Sequence, residues 1–562
     1  MLTLDSVVSN GTVTSALSQL GLEKQSGQKL SDVKATFERE APKLPAADPK
    51  QDLLQTLVAA FKQYVLGTFI EKYRPGYKAD KAGVQTLTGT AFRRMGYEDK
   101  ESAIKFYNAE LMAIRELLEK SFKGEDNRLE YFDWLDFSEN GVIKSSVAEA
   151  ANAAGDIRAK GLNNAVVMGM GGSSMCAKLL NTAFDSAPGA MKIRTMDNMD
   201  PETLKSTLDQ TNDKTAFVII SKSGGTFEAA HVIQGIITRL RKDNGGDLDK
   251  ALRDFASRAV FITEPETYSY ATLKGTKEGT NSGTLNKLAK ELEQKTGIKP
   301  TMIKHPPRVG GRFSLFSPVG MFISELKGLK TQEFLKGAQQ ALEEFFNATK
   351  FANSSAVQYA VLDALAARKG EEFAARYVMP YTDRLSAVPE FTAQLAGESN
   401  NKDNVSALNQ MWGRGPTAHH SDVEALCRND KRKLLFEEIL VRDNNADAVH
   451  TNTGLDALKD YQLKSMHQDS VTKLALPFGR HLSDRKNNPV VSTVLDSVNE
   501  KNMGYLMMRN MLATVIQSGI HNGITAKNLD RAVRQSEVEA FKVAKKTDAQ
   551  DLGLQGIELQ AA

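Results

Sequence analysis

The run FVIISKSGGTFEAA places Ser221, Lys222, Ser223 and Thr226 around Gly224 and Gly225, between an apolar stretch ending at Ile220 and a helical pattern. Hydroxyls beside a free helix N-terminus suit a dianionic phosphate, because they supply directional donors and a favourable dipole. The plainer alternative, a capped polar turn, needs fewer hydroxyls than this. A second run, VVMGMGGSSM, leads through Gly169, Gly171, Gly172, Ser173 and Ser174 into the helical pattern CAKLLNTAF. It serves either close backbone approach to a ligand or a bare strand-to-helix turn. Its GxGGSS register departs from GxGxxG, and no acidic residue closes a second strand at the distance a dinucleotide site requires.

Four further stretches carry candidate chemistry. In PPRVGGRFSLF, Arg312 follows two glycines and is either a salt-bridged structural residue or a cation aimed into a cleft. In FTAQLAGESNNKD, Gln394 and Glu398 stand four apart, which puts both on one helical face. That pair reads as a general base with a polar orienter, or as a solvated helix face. In GRGPTAHHSDVEAL, His419 and His420 are adjacent and make an unattractive metal pair, so one of them is either a proton shuttle near neutral pH or a loop histidine at a helix start. In RQSEVEAFKVAKK, Gln535 and Lys542 lie on a C-terminal helical pattern, where a lone Lys is ordinarily solvated.

The elements that must position these residues show in the periodicity. Residues 1–135 read as an N-terminal helical region, with apolar spacings of three and four over 52–73 and 101–122 and a loop between them. Beyond about residue 140, short Val- and Ile-rich runs alternate with helical patterns: 165–170, 217–220, 259–263, 377–381 and 434–441. That alternation predicts an α/β fold with doubly wound parallel sheets covered on both sides. The length divides into an α/β domain over 136–295, a second over 296–510 and a C-terminal helical arm over 511–562. If both glycine-bearing loops follow strands of one open sheet, they meet at its carboxyl edge.

Composition narrows the function. The 562 residues hold 72 basic and 69 acidic side chains, a net charge of +3 that gives no reason to expect nucleic acid or a membrane surface as partner. The two cysteines, Cys176 and Cys427, lack metal-ligand spacing and suit a reducing compartment. No signal peptide and no run of about 18 apolar residues is apparent, so a cytoplasmic setting is expected.

Taken in order, the segments GMGGS, SKSGGT, VGGR, ESNNK, HHS and QSEVEAFK resemble the motifs of phosphoglucose isomerases, over roughly residues 140–545. The resemblance implies two sugar-isomerase (SIS) domains, a homodimer with sites near the subunit interface, no cofactor and no metal. It also implies interconversion of glucose 6-phosphate and fructose 6-phosphate through a cis-enediolate, a step of glycolysis and gluconeogenesis. By this resemblance Glu398 is the base, Arg312 the enediolate cation, and His420 and Lys542 the ring-opening pair. Ser221, Lys222, Ser223 and Thr226 form the phosphate loop, and Gly172, Ser173, Gln394 and Gln535 make further substrate contacts. Departures fall at His419, Asp422, Asn401 and Ser536–Glu537, and they leave mannose 6-phosphate open as an additional substrate. A non-catalytic phosphosugar sensor would need the phosphate loop but not Glu398, Arg312 and Lys542 together.

Overall fold

All five apolar runs contribute strands. A computed structural model describes residues 66–522, apart from 68, 126–128, 186–189, 225–226, 266–282, 402–406, 428–431, 445–452 and 462–464, together with 529 and 533. Ten strands are named in chain order: β1 (Val84–Leu87), β2 (Asn164–Met168), β3 (Lys192–Met196), β4 (Thr215–Ile220), β5 (Ala259–Thr263), β6 (Thr301–Lys304), β7 (Phe373–Pro380), β8 (Asn409–Trp412), β9 (Lys433–Asp443) and β10 (Val490–Ser497). The chain is α/β. It divides into two units, each gathered from separated stretches. Of the described residues, one takes those within Met1–Lys100, Glu371–Ser386 and Met411–Asn502, and the other takes those within Glu101–Gly370, Ala387–Gln410 and Met503–Ala562.

The unit containing Glu101–Gly370 is built on a parallel sheet of order β3-β2-β4-β5-β6. β4 and β5 are buried along their whole length, as both-sided cover requires. Val166 and Met168, Phe217 and Ile219, and Ala259 and Phe261 alternate onto one face. There they pack against Ile236 and Leu240 of the helix Phe227–Asp243, Phe255 of Leu248–Arg258 and Leu292 of Thr284–Thr296. The chain runs from β2 outward to β3 and then returns past β2 to β4. The winding direction therefore reverses between β2 and β4, and at such a switch point open parallel sheets bind ligands outside the carboxyl ends of their strands.

The other unit carries a sheet of order β1-β10-β9-β7-β8, parallel at β10–β9 and β9–β7 and antiparallel at β1–β10. β9 buries two successive carboxylates. Glu437 bonds Arg376 at 2.9 Å and Thr493 at 2.6 Å, and Glu438 accepts from Arg74 and Ser492. Buried charge persists where it is paired and its remaining lone pairs are filled, as here.

Two expectations need adjustment. The stretch between the first helical patterns, read as loop, contains β1. The helix expected over 101–122 is two helices, Lys100–Lys105 and Asn108–Phe122. Between them the chain turns so that Tyr107 is buried beneath the Arg368 guanidinium while Phe106 remains exposed. Of 52–73, residues 66, 67 and 69–73 are helical and the rest lie outside the described residues. The C-terminal pattern forms the helix Glu500–Asn522.

Candidate active site

Four segments of the second unit leave the carboxyl ends of neighbouring strands: Gly169–Gly171 after β2, the 221–224 turn after β4, Thr263–Glu264 at the end of β5, and 305–311 after β6. After β2 the backbone needs a left-handed residue, and Gly171 supplies it at φ 57°. The helix Gly172–Ala183 then begins, with Ser173 in its first turn. Gly172 lies so close to the next segment that a Cβ there would sit 2.3 Å from the Gly311 carbonyl carbon and 2.4 Å from the Arg312 nitrogen. Backbone faces backbone at this point, so Gly172→Ala should displace the turn that holds Arg312. We expect a stability loss of about 1–3 kcal/mol in a urea titration and a fall in turnover larger than that loss alone would give.

Arg312 stands in the 3-10 turn Gly311–Phe316, which is closed downstream by a firm helix start. Ser317 caps Pro318–Leu326 through the Val319 N–H, and Pro318 occupies the first turn. The guanidinium is buried at 1% exposure. It donates from Nε to Ser399 Oγ at 2.9 Å, from Nη1 to Glu398 Oε2 at 3.2 Å and from Nη2 to the Glu398 carbonyl at 3.2 Å. Burial pulls its pKa down to about 10 against the opposing attraction of Glu398, so it keeps its charge at neutral pH.

Glu398 lies in the last turn of the helix Ala387–Asn400. A carboxylate there opposes the helix dipole, which favours cations at that end. Arg312 offsets this on one oxygen, and Gln394 Nε2 donates to the other, Oε1, at 2.9 Å. The i, i+4 pairing expected from sequence is therefore made. Gln394 also borders the first loop, since a Cβ on Gly171 would lie 2.8 Å from its Nε2. The Glu398 side chain keeps 26% of its surface open, whereas Arg312 keeps almost none.

The helix carrying Glu398 is locked by a polar seam against Glu500–Asn522. Asn510 donates to Thr392 Oγ1 at 3.2 Å, Asn400 to Gln517 Oε1 at 2.7 Å, and Ser518 to the Ser399 carbonyl at 3.4 Å. Ser399 thus joins the seam to Arg312. Ser399 lies within ESNNK, and its only signal in the sequence is adjacency to Glu398.

In the 221–224 turn, Ser221 is buried with its N–H on the Ile262 carbonyl, Ser223 is exposed, and Gly224 turns at φ 65°. Leu285 N–H caps the Gly224 carbonyl at 3.0 Å. Lys222 turns its ammonium away to the Pro307 carbonyl at 2.8 Å, with Glu264 Oε1 at 3.6 Å and the Tyr131 ring at 5.5 Å. Burial lowers the Lys222 pKa and raises that of Glu264, while each charge opposes the shift of the other.

Next to this pair His305 is fully buried, and its Nδ1 bonds the Pro306 carbonyl at 3.0 Å. Burial, then the Lys222 charge, holds its pKa down to about 3. The unfolded chain therefore takes up a proton near pH 6.5 that the folded one refuses. Stability is complete above pH 6.5 and declines as pH falls toward 3, at up to about 1.4 kcal/mol per pH unit. His305→Asn should flatten that decline in urea midpoints measured from pH 7 to 4.

Thr226, Gln535 and Lys542 lie outside the described residues. His420 belongs to the other unit, exposed on the short helix Ala418–Ser421. Beside it His419 is half-buried and bonded to the Tyr381 hydroxyl at 2.6 Å. Among the described residues no cluster of His, Cys, Asp or Glu could hold a metal ion, and no helix is long and apolar enough to cross a membrane.

Known proteins resemble this chain. The phosphoglucose isomerase family model matches residues 146–256 and 280–413, which include the glycine turn, Arg312, Gln394 and Glu398. A glucose-6-phosphate isomerase of Carboxydothermus hydrogenoformans is 29% identical over 360 residues, 61% of this chain and 68% of the relative. One of Mycoplasmopsis pulmonis is 26% identical over 428 residues, 73% of this chain and 88% of the relative. A crystal structure of a glucose-6-phosphate isomerase from Chlamydia trachomatis superposes with a TM-score of 0.63 at 19% identity, covering 90% of this chain and 96% of that one. That structure attests the fold, while the family match and the relatives show similarity in sequence. On these grounds the chain is similar to the phosphoglucose isomerase family over residues 146–256 and 280–413.

Proposed function

We propose that this chain is a glucose-6-phosphate isomerase, moving a proton between C1 and C2 of an open-chain sugar phosphate. The observation that carries the reading is Glu398, a partly open carboxylate fixed by Gln394 and Arg312 beside the Gly171 turn. A carboxylate within about 3 Å of a carbon acid next to a carbonyl can take its proton. Glu398 takes it from C2 of the aldose, leaving a cis-enediolate, and returns it to C1 while the hydroxyl proton passes from O2 to O1, which gives the ketose; the reverse path uses the same group. Arg312 faces the negative charge that grows on oxygen in between. The phosphate sits in the 221–226 loop at the start of the helix Phe227–Asp243, and its binding energy holds the reacting carbons in place. His420 and Lys542 are assigned the acid and base work of ring opening.

A phosphosugar sensor would need only the phosphate grip, so the Gln394–Glu398–Arg312 arrangement speaks for catalysis. A cytoplasmic homodimer with sites near the subunit interface belongs to the same reading, and fully active monomer in sedimentation would remove that part. The main test is turnover of fructose 6-phosphate in a coupled assay, with mannose 6-phosphate alongside to set selectivity. Absence of turnover on both, with the protein folded, rejects the isomerase.

A further inference from the structure

We propose that Lys222 is a positioning residue that ties the phosphate loop to the segment bearing Arg312, and that its ammonium is not a ligand of the substrate phosphate. This rests on the isomerase reading for its catalytic consequence, but not for its geometry. The main chain of Lys222 is held from β5, because its carbonyl accepts from the Glu264 N–H at 3.0 Å and from Thr263 Oγ1 at 3.2 Å. Its side chain crosses to the loop after β6 and donates to the carbonyl of Pro307, five residues before Arg312. The Pro306–Pro307 step offers no N–H of its own, so few other bonds could anchor it.

The same loop is held from its other side. Arg308 donates to the carbonyls of Glu130 at 3.0 Å and Leu129 at 2.7 Å, and Phe132 bridges Val309. Tyr131, from that flanking stretch, supplies the ring face toward Lys222. Lys222 therefore closes a bracket around residues 305–311, and Arg312 is the first side chain beyond it. To reach a phosphate, the ammonium would have to leave Pro307 and strand the half-buried Glu264 carboxylate without its cation, which is costly.

The experiment compares the parent protein, Lys222→Met, Glu264→Gln and the double variant. It measures kcat on fructose 6-phosphate and the Kd of inorganic phosphate by calorimetry. A tether predicts that Lys222→Met lowers kcat by about tenfold or more while phosphate Kd stays within about twofold. Glu264→Gln should shift kcat in the same direction. The double variant should fall within about twofold of Lys222→Met, since both changes cut one connection. A rise of about tenfold or more in phosphate Kd for Lys222→Met, with kcat retained, overturns the proposal, as do independent, multiplying effects. If Lys222→Met does not fold, Glu264→Gln decides: reduced kcat at unchanged phosphate Kd supports the tether, and unchanged kcat overturns it. A parent protein without turnover defeats the isomerase reading, and phosphate Kd in Lys222→Met then decides the ligand question by itself.

Discussion

Glu398→Gln should lower turnover of fructose 6-phosphate by roughly 10²- to 10⁴-fold, the span that general-base groups contribute. The substitution keeps size and shape. An amide oxygen can still accept from Arg312, but it cannot carry a proton from C2 to C1. Binding should survive, because the proposed phosphate site follows β4 whereas Glu398 lies on the helix Ala387–Asn400, and Glu398 contributes nothing attractive to a dianion. Calorimetry with glucose 6-phosphate should therefore give a Kd within a few-fold of the parent. Solvent deuterium should cease to enter the sugar at C1 and C2. Undiminished turnover would remove Glu398 from the role of base.

Arg312→Ala should cost about 10²- to 10³-fold in kcat, the scale for deleting one donor aimed at a developing oxyanion. Its effect on KM should be smaller. The guanidinium is charged, buried and fixed by three hydrogen bonds before any ligand arrives, so little rearrangement is needed as charge develops on the substrate. Arg312→Lys should recover only part of the loss, because an ammonium cannot span Ser399 and both Glu398 acceptors in one plane. An effect confined to KM would make Arg312 a ground-state binder instead.

Much of this architecture was legible in the chain, for identifiable reasons. β4 and β5 are apolar apart from one terminal threonine each, Thr215 and Thr263, so burial on both faces shows as a continuous run. β10 was missed because VVSTVLDS is interrupted by Ser492 and Thr493, whose hydroxyls satisfy the buried Glu438 and Glu437. β3, β6 and β1 each leave residues partly open, and their short sequences lack a clear alternation. In the site, Gln394 with Glu398 was readable because four residues along a helix is a local relation. The partners of Lys222 are Tyr131, Glu264 and Pro307, scattered over almost 180 positions, and no local pattern joins them. The threading of the chain through its two units likewise depends on contacts that sequence spacing does not encode.

The contact between Ala387–Asn400 and Glu500–Asn522 has a final consequence. Thr392, Ser399 and Asn400 meet Asn510, Ser518 and Gln517 through bonds with definite angles, where aliphatic side chains would have cohered about as well. Greasy packing tolerates a small roll of one cylinder on another; an amide matched to an amide does not. The joint thus works as a key rather than as glue, and a version rebuilt in leucine and valine would stay folded while its carboxylate lost its aim.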